Sequence, residues 1–149
     1  MGVTKIVSDI KQIQNSSSRV YDFLSDFTKL GMLIEAAKNM AGEQADKMSE
    51  KIENIETTQD TCTFTVKGFG DSGLRIVEKE ENKMIKIEGE GRLPFPVTLW
   101  IQLISKDVYD TRIRITLHAE MNMMYKMMLK GKLKKGVEQL ADGLTKIPY

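Results

Sequence analysis

Several things are scarce in this chain, and each scarcity closes off a class of protein. There is one cysteine, Cys62, in 149 residues, so no internal disulfide can form and a reducing compartment is expected. There is one histidine, His118, and no His/Cys/Asp/Glu group with ligand spacing, so neither a metal nor a cofactor is expected. No apolar run is long enough to span a bilayer, which argues against integral membrane association. The opening MGVTKIVSDIKQIQ alternates polar and apolar residues and lacks the apolar core and cleavage site of a signal peptide. A cytoplasmic location is therefore expected. Ile6 stands where a myristoylation signal needs Ser or Thr, and without secretion the acceptor-like Asn15-Ser16-Ser17 means nothing. The 22 basic and 21 acidic residues are interspersed and leave a net charge of +1, so no global field draws in nucleic acid.

What is present is an ordinary globular composition, 41% hydrophobic and 29% charged. A chain of this length buries roughly 70% of its unfolded surface and needs only one domain, taken here as residues 1–149. The patterns come in a definite order. Residues 3 to 13 read as a strand, with Val3, Val7 and Ile13 on one face and Ile6 and Ile10 on the other. Asn15 to Ser18 offer N-caps for a short helix with Val20, Phe23, Leu24 and Phe27 on one stripe. A second short helix begins near Thr28, with Leu30, Leu33, Ile34 and Ala37 aligned. From position 51 the period changes from helical to two, and about six strands follow. The clearest sets Ile113, Ile115, Leu117, Ala119 and Met121 against Arg112, Arg114, Thr116, His118 and Glu120, one dry face and one wet.

The C-terminal segment is helical. At about 100° per residue, Leu129, Leu133, Val137, Leu140 and Leu144 form one stripe, and Met123, Met124, Met127 and Met128 centre about 150° away from it. One straight helix does not bury both sets on one surface, so a break is predicted near Gly131, where helix propensity is lowest.

Motifs that carry chemistry elsewhere have structural readings here. Gly68-Phe69-Gly70-Asp71-Ser72-Gly73 matches G-x-G-x-x-G, but Leu74 to Glu78 reads as a strand where a phosphate site needs a helix N-terminus. It is read as a hairpin loop. His118 shares the wet face with Thr116 and Glu120, and Cys62 shares an apolar face with Phe64 and Val66, where a thiol packs as a small hydrophobe. Glu78 continues the Leu74/Ile76 face and is expected to point inward. Glu80, Glu81, Glu88, Glu90 and Arg92 are assigned to solvent, and the face of Trp100 stays open. Met121 to Lys135 combines five methionines with five lysines, a composition seen in membrane-surface and partner-binding helices. It is read as methionines packing a cavity mouth with lysines in water.

Strand, two short helices, six strands and a long closing helix is the order of the START-like superfamily (SRPBCC), which includes polyketide cyclases and pollen-allergen-like proteins. Arg19 to Phe27, RVYDFLSDF, resembles that family's stretch after its first strand, and Leu99 to Leu103 and the closing GVEQLADGLTKIPY resemble small bacterial members. The resemblance implies an α+β helix-grip fold, a curved seven-stranded antiparallel sheet wrapped around the long C-terminal helix, often enclosing an apolar cavity. It supplies no catalytic motif, so no catalytic residue is assigned.

The leading expectation is binding of a small apolar or amphipathic ligand, lipid- or polyketide-like, between sheet and helix. The residues expected to line the cavity are Phe27, Phe64, Leu99, Ile101, Ile115, Leu117, Met124, Met128, Leu133 and Leu140. A polyketide cyclase or dehydratase is the enzymatic alternative, with Glu78, Tyr21 or Tyr125 as its polar groups. A co-chaperone-like module, with a protein partner on the Met123 to Met128 segment, is the third.

Overall fold

A computed structural model describes residues 2–29, 52–68, 70–147 and 149. The predicted helix from Leu30 to Ala37 lies outside the described residues. The elements are β1 (Gly2–Val7), β2 (Lys11–Ile13), α1 (Ser17–Leu24), β3 (Ile52–Thr57), β4 (Thr61–Val66), β5 (Gly70–Glu80), β6 (Met84–Gly91), β7 (Val97–Asp107), β8 (Asp110–Met121) and α2 (Met123–Leu144).

All strands pair antiparallel in the order β1-β8-β7-β6-β5-β4-β3, and β2 also pairs with β8. The single strand expected over residues 3 to 13 is thus two segments on one partner. The break falls at Ser8, whose N–H donates to the Ile115 carbonyl (2.8 Å) and whose Oγ accepts from the Ile115 N–H (2.9 Å). The hydroxyl takes over a backbone acceptor's place, and this is why eight segments stand where seven strands were expected.

Alternation determines which side of the sheet is dry. Ile113, Ile115, Leu117, Ala119 and Met121 of β8 are all buried, as are Ile101 and Leu103 of β7 and Ile85 and Ile87 of β6. These share one face by register: Ile101 pairs with Ile85 and Ile115, and Leu99 with Ile87 and Leu117. We call this the inner face. The β5 alternation does not carry through to Glu78, because an irregularity between Ile76 and Glu78 sets Glu78 opposite Lys86 on the outer face. Glu78 is exposed, contrary to the inward expectation.

Helix α1 starts at Ser16, whose Oγ accepts from the Arg19 N–H (3.3 Å), and it buries Val20 and Leu24 completely. Helix α2 starts at Asn122, whose Oδ1 accepts from the Tyr125 N–H (2.9 Å), and runs unbroken through Gly131. The expected break is absent because the helix does not bury both apolar sets. It buries Val137, Ala141 and Leu144, all in its second half, and packs on β1, β2 and β8. That half is also tied down by polar contacts. Lys11 Nζ meets Asp142 Oδ1 (3.1 Å) and Glu138 Oε2 (3.7 Å), and the Asp9 N–H donates to Glu138 Oε1 (2.8 Å). Beyond it, the Tyr149 hydroxyl donates to the Leu144 carbonyl (2.6 Å) and the ring sits edge-on to Phe23 at 5.4 Å.

Candidate functional site on the inner face of the sheet

The inner face divides into a closed part and an open part. Val20, Leu24, Ile85, Ile113, Ile115 and Ala141 have no accessible surface, and Phe27, Ile76, Ile101 and Leu117 are also buried. Phe64, Leu74, Val97, Leu99 and Leu133 pack against this cluster yet remain half-buried. By register the first four lie on one face of β4, β5 and β7, with β6 between the last two: Leu74 lies opposite Cys62, two residues from Phe64, and Leu99 lies opposite Ile87. A strip of accessible apolar surface therefore continues the core across β4, β5 and β7. Leu133, in the half of α2 that precedes its buried residues, also packs against the core and stays half-buried.

A glycine shapes this strip. Leu93 Cδ1 and Val97 Cγ2 lie over Gly89 on β6 so closely that a Cβ there would overlap both. The missing side chain lets the chain after β6 fold down onto the inner face.

The expected lining residues thus separate into groups. Phe27, Ile101, Ile115 and Leu117 belong to the buried core, Phe64 and Leu99 lie on the accessible strip, and Leu133 is half-buried on α2 against the core. Met124 and Met128 are 70% and 63% exposed, and Leu140 is 40% exposed, so these three do not face inward. The helix phase explains the methionines. They sit roughly opposite the packed stripe, and a straight helix anchored by Val137, Ala141 and Leu144 turns them to solvent. Leu74 and Val97 were missed; their place in the β4–β5 and β7 alternations was the available signal.

No Asp, Glu, Lys, Arg or His among the described residues is buried. The Cys62 thiol is buried, and desolvation raises its pKa above the usual thiol value, which disfavours the nucleophilic thiolate. Burial likewise raises the Tyr149 phenol far above its ordinary value. Tyr125, one of the polar groups an enzyme would need, has its ring tilted 57° to that of Phe95 at 5.7 Å.

Two open hollows lie along the sheet. One, of about 690 Å³, is lined by residues of β3 to β6, and register puts Glu56, Thr63, Thr65, Asp71, Gly73 and Glu90 on its outer side. The other, of about 240 Å³, lies on β1, β7 and β8 around Trp100. Trp100 is on the outer face, its ring 4.5 Å from that of His118 and 5.6 Å from Lys86 Nζ. This settles the face that alternation left open. The first hollow mixes polar and apolar surface, and Phe64, Ser72 and Gly91 of the inner face also line it; the second is bordered mainly by polar side chains around Trp100.

Searches against family models and curated proteins find no match to the chain. Solved structures do match. Norcoclaurine synthase from Thalictrum flavum, in a complex with dopamine and hydroxybenzaldehyde, superimposes with a TM-score of 0.65 at 11% identity, covering 97% of this chain and 86% of that one. A conserved protein from Geobacillus kaustophilus gives 0.61 at 16% identity, covering 96% and 93%, and a protein from Thermus thermophilus gives 0.60 at 12%, covering 96% and 95%. The chain shares the helix-grip α+β fold of these structures. Among the described residues, no helix is long and apolar enough to cross a membrane.

Proposed function

We propose that the chain binds a small apolar or amphipathic molecule, lipid- or polyketide-like, between the open strip of the inner face and the first half of α2. The observation that carries this reading is the accessible strip of Phe64, Leu74, Val97 and Leu99, continuous with the core, together with the half-buried Leu133 on α2. Removing apolar area from water there contributes about 25 cal/mol per Å². Norcoclaurine synthase, of the same fold, was solved with two small aromatic molecules, which supports a site of this kind. The test is a fluorescence titration with an apolar naphthalene probe against wild type and Leu133→Asp. Wild type binds, and the variant, changed at a half-exposed position, keeps its fold and loses most of its affinity. Unchanged affinity would remove α2 from the site.

A second reading has its own support. Met123, Met124, Met127 and Met128 are 63% to 81% exposed on one face of α2, beside Lys126 and Lys130. An exposed apolar patch of this kind suits a protein partner. A stoichiometric partner that co-purifies with wild type and is lost in Met124→Ser/Met128→Ser, with the fold retained, would establish it.

A further inference from the structure

Ser72 stands out among the inner-face residues. It is 5% exposed, and its Oγ is the one buried side-chain oxygen among the described residues without a hydrogen-bond partner. Three other buried hydroxyls have partners: Ser8 accepts from the Ile115 N–H, Thr111 donates to the Asn15 carbonyl, and Thr116 donates to Gln102 Oε1. The surroundings of Ser72 explain the difference. Its cross-strand neighbours are Phe64 on β4 and Gly91 on β6, and the inner-face residues along its own strand are Gly70 and Leu74. None of these side chains carries a polar atom; a charged side chain close to this row is Arg92, whose Cδ would lie 3.0 Å from a Cβ on Gly70, and it makes no hydrogen bond to Ser72. Gly91, at φ +81°, brings its backbone so near that an added Cβ would lie 2.9 Å from the Ser72 Cα. A larger residue at position 91 is thereby strongly disfavoured.

An unsatisfied buried hydroxyl destabilises the free protein, and alanine would fill the same space without that penalty. Its position is at the edge of the accessible strip, in one row with Phe64 and one step from Leu74.

We infer that Ser72 is the polar contact of the apolar site, and that the ligand carries a hydroxyl or carbonyl oxygen on an otherwise apolar body. This rests on the apolar-binding reading above and narrows its ligand class. Phe64 and Leu74 hold the body by area, and the Ser72 hydroxyl donates to a ligand carbonyl or exchanges a hydrogen bond with a ligand hydroxyl. A site built this way discriminates against the ligand lacking the oxygen, because the buried hydroxyl is then left unpaired.

The test compares 2-naphthol with naphthalene by isothermal titration on wild type and Ser72→Ala, with a thermal melt of each unliganded protein. Wild type prefers 2-naphthol, and Ser72→Ala reduces that preference about tenfold by weakening 2-naphthol alone, the scale of one buried hydrogen bond. The unliganded variant melts no lower than wild type, which excludes misfolding as the cause. The same preference in both proteins would overturn the assignment to Ser72 while leaving apolar binding standing. Failure of wild type to bind either probe would overturn both.

Discussion

Ile115 and Leu99 sit on neighbouring strands of the same face, yet truncating them should have very different consequences. Ile115 on β8 has no accessible surface and pairs with Ile101, also buried. Ile115→Ala removes three carbons, about 2.4 kcal/mol of transfer free energy at ~0.8 per buried methylene. The surrounding Ile85, Ile101 and Ile113 are held in a sheet and collapse little, so a cavity term is added and the total is about 3–4 kcal/mol. Leu99→Ala removes the same number of carbons from a half-buried position. About half of the transfer term is lost and no closed cavity forms, giving about 1.2 kcal/mol. Urea denaturation should show a lower midpoint at unchanged slope for both, and melting should fall by about 10 °C for Ile115→Ala and about 3 °C for Leu99→Ala. Binding of the naphthalene probe should move the other way, weakening severalfold in Leu99→Ala. Equal destabilisation by the two substitutions would refute the reasoning, because Leu99 would then be core and the strip would lose a wall.

Gly91→Ala should cost about 2–3 kcal/mol by denaturation, since the residue sits at φ +81° and a Cβ there would lie 2.7 Å from the Asp71 carbonyl oxygen. Gly131→Ala should instead stabilise by about 1 kcal/mol in the same assay, because Gly131 lies inside an unbroken exposed helix with open space where the Cβ would go. Met124→Ser/Met128→Ser should shift stability by less than about 0.5 kcal/mol per site, as both side chains face solvent. The Asp26 carboxylate accepts from the Thr28 hydroxyl and N–H, and these bonds, the hydroxyl first, lower its pKa. A depressed folded pKa contributes stability above the unfolded value of about 3.9 and loses it as pH falls through the folded value. Asp26→Asn should therefore flatten the acid limb of a stability profile below about pH 4.

The sheet was legible because alternation is enforced wherever one face is dry. Ile113 to Met121 and Val97 to Leu103 could be placed from their period alone, and their register follows. Features that depend on a partner strand were not. The irregularity after Ile76 turns Glu78 outward, and the break at Ser8 exists only because Ile115 bonds to its hydroxyl. The methionines depart from expectation for a different reason. The angle between the methionine and leucine sets is legible in the sequence, but an apolar side chain is not thereby a buried one, and Gly131 bears no break because the methionines are left in water. Alternation placed Phe64 and Leu99 on the inner face. The unpaired hydroxyl of Ser72 depends on which neighbours lack polar atoms, and only the cross-strand register reveals that.

The central claim, that the inner face takes up a small apolar molecule, is tested most directly by mass spectrometry of the freshly purified protein under native and denaturing conditions. The account predicts an excess mass in the native spectrum that disappears on denaturation, with the released compound rebinding to wild type and less well to Leu133→Asp. Equal masses in both spectra, together with no uptake of an added apolar probe, would contradict it.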